Sequence, residues 1–193
     1  MAEGVLVLGD VSDGELGLTA REVLAAGRKV ADDLGEGLSI GLFGESLEGA
    51  SQQAISHGAD KVYSVTNPAL GQYQVDLYLS AMETLCREAD PSVILLGRTN
   101  EGRELAPRLA FRLGVGLAQD CLEISVDPAT KKLLANRPVY GGSAVAVVSC
   151  DYSPQVAAVR PKVYEPLEAD ASRQGQIVSF PVELDASQAL TTL

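Results

Sequence analysis

The sequence VILLGRTNEGRELAPRLAFRLG, residues 93–114, decides the fold of this chain. Its first four residues are apolar and predict a buried strand, and the polar turn at residues 97–100 leads into a helix. Leu105, Leu109 and Leu113 recur at helical spacing and give that helix one apolar face. A strand, a polar turn and a helix in this order are typical of a parallel α/β sheet, where ligands gather outside the carboxyl ends of the strands.

The same unit occurs three more times before this stretch. Each copy pairs a short apolar segment with an amphipathic segment, and glycine or proline separates them. The predicted strands are 5–10, 38–43 and 61–65, and the predicted helices are 19–34, 46–57 and 74–89. Four such units predict a parallel sheet with helices on its faces.

Several residues indicate where the helices begin. Thr19 and Glu22 have the spacing of a capping box, and Ser46 stands where the second helix is expected to start. Thr99 or Asn100 is expected to cap the helix of the opening stretch. Pro107 has no N–H and crowds the carbonyl four residues before it, so we expect it in or near the first turn of that helix.

The pattern changes after about residue 116, where short strands follow one another without helices. Strands are predicted at 118–126, 131–140, 144–150 and 155–159, with a turn at Asp127–Thr130. Because no helix fits between them, antiparallel strands are expected to extend the parallel sheet. Residues 165–175 are polar and are interpreted as a linker, and 177–184 alternate as one more strand.

The composition is that of a globular protein with an acidic surface. The chain has 193 residues, is 46% hydrophobic and has a formal net charge of −11. This charge argues against general nucleic-acid or anionic-membrane binding, and no apolar run approaches the roughly 20 residues of a membrane span. The three cysteines form no CxxC pair and no zinc pattern, and the N-terminus carries no signal peptide, so we expect a cytoplasmic protein with reduced thiols.

The residues offer little catalytic chemistry. The loop after the first strand carries Asp10 and Asp13 instead of a glycine-rich phosphate motif, and the single histidine, His57, lies at a predicted helix end. No catalytic residue and no metal ligand is therefore assigned. Arg98, Thr99 and Asn100 remain as candidate cofactor-binding residues, because an arginine beside a helix start suits an anion; the alternative is a cap that only starts the helix.

Four blocks of sequence resemble the alpha subunits of electron transfer flavoproteins. Residues 102–114 resemble that family's GRDLAPRLAARLG helix, and Gln119-Asp120-Cys121 resembles its SDV. Residues 137–142 resemble RPVYAGNA, and residues 159–162 resemble VRPKAF, with Val163 and Tyr164 in place of its last two residues. The order and the spacing of all four blocks agree.

The resemblance implies a Rossmann-like three-layer sandwich of the adenine nucleotide alpha hydrolase type at residues 1–165, with residues 166–193 leading to a second, FAD-binding domain that has no counterpart here. It implies an electron carrier subunit without catalysis of its own, whose complete heterodimer with a beta subunit contains FAD. That heterodimer would accept electrons from flavin dehydrogenases, such as the acyl-CoA dehydrogenases of fatty acid beta-oxidation, and pass them to a quinone reductase or another acceptor. No cofactor is expected in this part of the subunit.

A second hypothesis stays open at this point. A protein of the same fold could bind or hydrolyse a nucleotide by itself, with its ligand between Gly9-Asp10 and residues 97–100. The absence of a glycine-rich loop counts against it.

Overall fold

The computed structural model describes residues 2–184, which form a central sheet, a three-stranded sheet, a two-stranded sheet and four α-helices. The strands are β1 (Val5–Leu8), β2 (Val11–Ser12), β3 (Glu15–Leu16), β4 (Leu38–Gly44), β5 (Lys61–Thr66), β6 (Val93–Gly97), β7 (Leu117–Cys121), β8 (Glu123–Val126), β9 (Leu133–Val139), β10 (Ala144–Val148), β11 (Gln155–Val159) and β12 (Gln176–Ser179). The helices are α1 (Leu18–Leu34), α2 (Glu48–Ser56), α3 (Val75–Ala89) and α4 (Asn100–Leu113).

The central sheet is parallel, as the repeated strand–helix units predict. Its seven strands have the order β12-β5-β4-β1-β6-β11-β7. Strand β1 lies in the middle and pairs with β4 on one side and β6 on the other. All four of its residues are buried, because helices cover both faces of the sheet.

Two apolar clusters form the core, one on each face of the sheet. Val5 and Val7 pack into the cluster with α1 and α2, and Leu6 and Leu8 pack into the cluster with α3 and α4. Successive side chains of a strand point to opposite faces, so four residues of β1 supply both layers. The chain is therefore the predicted Rossmann-like three-layer sandwich.

The antiparallel strands differ from the prediction in where they lie. Strands β8, β9 and β10 form a separate three-stranded sheet instead of extending the central one, and β11 returns to the centre as a parallel strand between β6 and β7. The single strand predicted at 118–126 is divided between the two sheets. Within β7 the backbone φ of Asp120 is 66°, and the pairing of β7 with β11 shifts by one residue at this left-handed position.

Two of the predicted helix caps are wrong. Helix α1 has Gly17 at its N-cap, and the predicted capping box does not form because Glu22 accepts a 2.9 Å hydrogen bond from the distant Lys162 amide. Helix α2 has Leu47 rather than Ser46 at its N-cap. The prediction for α4 is confirmed, because Thr99 Oγ1 accepts a hydrogen bond from the Gly102 amide at 3.1 Å.

Pro107 lies in the interior of α4, not in its first turn. The helix continues through it to Leu113, although proline leaves the carbonyl of Arg103 without its helical donor. Pro107 is on the exposed side of the helix. On that side water can reach the freed carbonyl, which lowers the cost of the missing hydrogen bond.

A crossing segment, residues 160–175, connects β11 to β12 on the far side of the sheet. It is polar, as the predicted linker requires, but it packs on the α1–α2 face: the Leu167 carbonyl lies 2.8 Å from His57 Nδ1, and the Asp170 amide donates to Ser56. Strand β12 then pairs in parallel with β5. The domain boundary at 165/166 stays a prediction, and residues 185–193 of its second part lie outside the described residues.

Asp60 anchors the end of the crossing segment. Its carboxylate accepts hydrogen bonds from Arg28 at 2.8 Å, from the Leu38 amide at 2.9 Å and from Arg173 at 2.7 Å. Burial alone would raise the pKa of Asp60, but the Leu38 amide and the Arg28 guanidinium outweigh it and hold the pKa below 3.8.

We expect Asp60→Asn to lower the stability at pH 7 by about 1 kcal/mol, a modest figure because the side chain is partly exposed. A carboxyl group with a depressed pKa stabilises the fold above its unfolded-state pKa, and this contribution is lost as the pH falls through the folded-state pKa. The melting temperatures of wild type and variant should therefore differ at pH 7 and converge as the pH falls below the lowered pKa of Asp60. Asp32→Asn, which removes the exposed partner of the same Arg28, is the control and should change little. Equal melting temperatures at pH 7 would contradict the assignment.

Candidate functional site

The three residues singled out by sequence, Arg98, Thr99 and Asn100, lie at the carboxyl end of β6, but their side chains have different neighbours. Thr99 caps α4 and lines a pocket at the strand ends, whereas the Arg98 side chain lies 3.5 Å from Asp120 at the end of β7. Asn100 is the exposed first residue of α4. The structure thus does not bring the three side chains together into one site.

The strand-end pocket has a volume of about 270 Å³ and lies at the carboxyl ends of β1 and β6. Its apolar walls come from the second strand–helix unit and from α3, through Phe43, Tyr78 and Met82. Asp10 and Glu101 supply charge from the two strand ends. Three carboxylates in all (Asp10, Asp13, Glu101) line this pocket, and none of its described lining residues is basic.

Asp10 replaces the cap that α1 lacks. Burial raises the pKa of its carboxyl group, and the Ala20 amide in the first turn of α1 partly offsets that rise. It occupies the space where a side chain at Gly17 would be, because a Cβ built on Gly17 would lie 1.8 Å from Asp10 Oδ2. Glycine at the N-cap and an aspartate from the preceding loop therefore act together, and this arrangement takes the role that the sequence assigned to Thr19.

Two acidic groups of the pocket, Asp10 and Glu101, have raised pKa values. Burial raises the pKa of Asp10, and the negative charge of Glu22 adds to the effect. Partial burial of its carboxyl group raises the pKa of Glu101, and the charge of Asp10 adds to it. An anion that enters the pocket would meet the same unfavourable electrostatics as these carboxylates.

A cluster of arginines lies at the ends of β7 and β11. Arg160 binds both carboxylate oxygens of Asp120, at 2.8 and 2.7 Å, and Arg98 approaches the same group. The hydrogen bonds from Arg160 are the main reason that the pKa of Asp120 is lowered, and Arg98 and Arg137 contribute further. One carboxylate thus faces three guanidinium groups, which leaves the cluster positive.

The arginine cluster opens into a cleft of about 530 Å³ between β9 and β11. Its outer wall is the turn Tyr140–Gly142, where all three residues have positive φ and nothing crowds the two glycines. The Nε atoms of Arg98 and Arg137 are buried without a hydrogen-bond partner in the structure. This surface therefore carries an excess of positive charge. It also carries an exposed aromatic residue, Tyr140, whose side chain is 87% exposed.

The remaining reactive residues lie in structural positions. Burial raises the pKa of the Cys86 thiol to about 12 and that of Cys121 to about 11, so neither is a nucleophile near neutral pH. His57 is the C-cap residue of α2 and contacts the crossing segment. Among residues 2–184, no helix is both long and apolar enough to span a bilayer, and no group of three or more acidic, His or Cys side chains is placed to hold a metal ion.

A family model described as the electron transfer flavoprotein domain matches residues 5–185. The chain belongs to the electron transfer flavoprotein family. The match covers all twelve strands and four helices described above.

Individual relatives support the alpha-subunit resemblance. The chain is 37% identical over 192 residues to the electron transfer flavoprotein subunit alpha of Clostridium acetobutylicum, with 98% of this chain and 57% of that protein covered. It is 37% identical over 186 residues to the subunit of the same name from Bacillus subtilis, covering 95% of this chain and 55% of the relative. It is 40% identical over 171 residues to protein FixB of Clostridium saccharobutylicum, covering 88% and 51%. The chain thus spans about half the length of these flavoprotein relatives.

FAD, the cofactor that this family implies, does not fit the strand-end pocket. The cavity is about 270 Å³, which is small beside the roughly 300–1,000 Å³ of typical pockets for drug-sized ligands. Its charged lining is entirely acidic among the described residues, which opposes a diphosphate. The sequence alone did not predict a role for Asp10, because its position beside the start of α1 is visible only in the folded structure. The one feature of the sequence that could have indicated it is an aspartate where phosphate-binding loops carry glycine.

Proposed function

We propose that this chain is the N-terminal scaffold domain of an electron transfer flavoprotein alpha subunit. The complete protein would pair with a beta subunit and carry electrons from flavin dehydrogenases, such as acyl-CoA dehydrogenases, to a quinone reductase or another acceptor. The observation that carries the proposal is the match of 98% of the chain to a protein named subunit alpha, over only 57% of that protein's length.

In this proposal the redox chemistry belongs to FAD, which the remainder of the subunit would hold. The acidic strand-end pocket supports that division, because it lacks a cationic group for a diphosphate among its described lining residues. The chain would have no catalysis of its own and would act in the cytoplasm. Residues 1–165 would form the scaffold, and 166–193 would lead toward the flavin-binding part.

The docking surface for the beta subunit would be the outer side of the small sheet. Strand β10 is its edge, paired only with β9, and Val145 and Val147 are 58% and 62% exposed. Tyr140 and Tyr152, on either side of β10 in the chain, are 87% and 71% exposed. These four side chains, which we call the β10 surface, expose apolar area beside a free strand edge, as protein interfaces do.

The arginine cluster continues the β10 surface through the Tyr140–Gly142 turn. Apolar contacts would contribute most of the affinity, and the positive cluster would orient a partner of opposite local charge. The chain's net charge of −11 makes this positive patch a distinctive feature of its surface.

The test mixes the purified chain with the beta subunit of the same organism, with and without added FAD, followed by size-exclusion chromatography with flavin absorbance recorded. We expect the chain alone to elute without flavin, and the mixture to give a 1:1 complex. Failure to form any complex would overturn the scaffold proposal. Stoichiometric FAD on the chain alone, or hydrolysis of ATP by it, would favour the independent nucleotide-binding alternative.

A further inference from the structure

The start of α1 is a position where proteins of many kinds bind anions. The first amide groups of a helix have no helical acceptor, and the helix dipole adds a partial positive charge there. In this chain the Asp10 carboxylate lies beside that position, where the Ala20 amide partly offsets the rise in its pKa that burial causes. Gly17 provides the room for it, since a Cβ at this residue would lie 1.8 Å from Asp10 Oδ2.

Asp10 also lines the strand-end pocket, so the same residue lies at the start of α1 and in the wall of the cavity. Glu101 lines the same pocket from the first turn of α4, and partial burial raises its pKa, with the charge of Asp10 adding to the effect. A phosphate in this pocket would therefore find the space beside Gly17 taken by Asp10 and would also be repelled by both carboxylates.

We propose that Asp10 is a specificity-determining residue that fills the anion position of the strand-end pocket and excludes phosphate-bearing ligands from it. The pocket keeps the architecture of a ligand site, with Phe43, Tyr78 and Met82 as apolar walls, but its phosphate position is occupied by the chain itself. This inference concerns the pocket alone and does not depend on the proposed role in electron transfer.

The test compares AMP and adenosine, two probes that differ only by a phosphate, by titration calorimetry on the 193-residue chain. Asp10→Asn keeps the shape and the capping acceptor but removes the charge. We expect it to bind AMP at least about tenfold more tightly than wild type does, with no such gain for adenosine. Asp10→Gly also vacates the space and should bind AMP at least as tightly as Asp10→Asn.

Asp13→Asn is the matched control. It removes the same charge from the exposed rim of the same pocket, where asparagine tolerates the positive φ of 53°. We expect less than about a threefold change in AMP affinity, because an exposed charge is screened.

Circular dichroism establishes that each variant is folded, and Asp10→Asn carries the test alone if Asp10→Gly is not. The proposal is overturned if folded Asp10→Asn binds AMP no more tightly than wild type does. It is overturned equally if adenosine gains as much as AMP, or if Asp13→Asn gives the same increase as Asp10→Asn.

Discussion

Replacing Gly102 by alanine is expected to destabilise the chain by more than about 3 kcal/mol, a loss beyond the usual range for overpacking. A Cβ on this residue would lie 1.9 Å from the carbonyl oxygen of Gly97, so the first turn of α4 would have to move away from β6. Gly97 and Gly102 are both buried, and the clashing atom is a backbone oxygen, so no flexible side chain can move to relieve the clash.

The measurement is the melting temperature followed by circular dichroism. For a domain of this size the loss corresponds to a decrease of roughly 10 °C. Gly37→Ala is the control, because its Cβ would meet nothing within 4 Å and its φ is not positive; its effect should stay within about 0.5 kcal/mol. Equal melting temperatures for the two variants would show that Gly102 of α4 does not pack closely against the Gly97 carbonyl of β6.

Val147→Asp is expected to weaken binding of the beta subunit by at least about thirtyfold, equivalent to ~2 kcal/mol. Val147 is at the centre of the β10 surface, and an aspartate there would be desolvated in the complex without a partner. The fold itself should tolerate the change, since the side chain is already 62% exposed.

Surface plasmon resonance against the immobilised beta subunit measures this effect. Phe111→Asp is the control, because Phe111 is an exposed apolar residue of α4, outside the β10 surface. Wild-type affinity in Val147→Asp would refute the placement of the docking surface. A loss in Phe111→Asp with no change in Val147→Asp would place the interface on α4.

The sequence was sufficient for the parallel half of the fold because the decisive signals there are local. An apolar segment such as residues 93–97, followed by a polar turn and an amphipathic helix, predicts its own structure and the direction of its strand. Local signals do not predict the part of the chain after residue 116, because β11 pairs with β6 and β7 and not with its neighbours in sequence. Short strands without helices predicted hairpins after residue 116, and among the described strands of that half β8, β9 and β10 form them.

The helix starts show how tertiary contacts override local patterns. Thr19 and Glu22 have capping-box spacing, yet the Asp10 carboxylate reaches the start of α1 from the preceding loop and Glu22 is taken by the Lys162 amide. No local pattern encodes the second contact, because 140 residues separate Glu22 from Lys162.

The candidate residues Arg98, Thr99 and Asn100 lie at the carboxyl end of β6, but their side chains do not form one arrangement. Arg98 and Thr99 are adjacent in sequence, and the turn directs one toward Asp120 and the other toward the strand-end pocket. The assembly of Arg98, Arg137 and Arg160 around one carboxylate joins three separate segments of the chain. The individual blocks of sequence resemble a family, but only the folded structure shows that their arginines lie around the same carboxylate.

The position of β11 also constrains how this chain is made. A ribosome releases β1, β4, β5 and β6 first, and these can pair as they emerge. Strand β7 can pair only when β11 appears roughly 35 residues later, because within residues 2–184 β11 is its only partner in the central sheet. Until then the edge of β6 is open, and the segment that will become β7 has no place to dock. Such non-local closure slows folding, so we expect nascent chains halted before residue 155 to be the form most prone to aggregation and most dependent on chaperones.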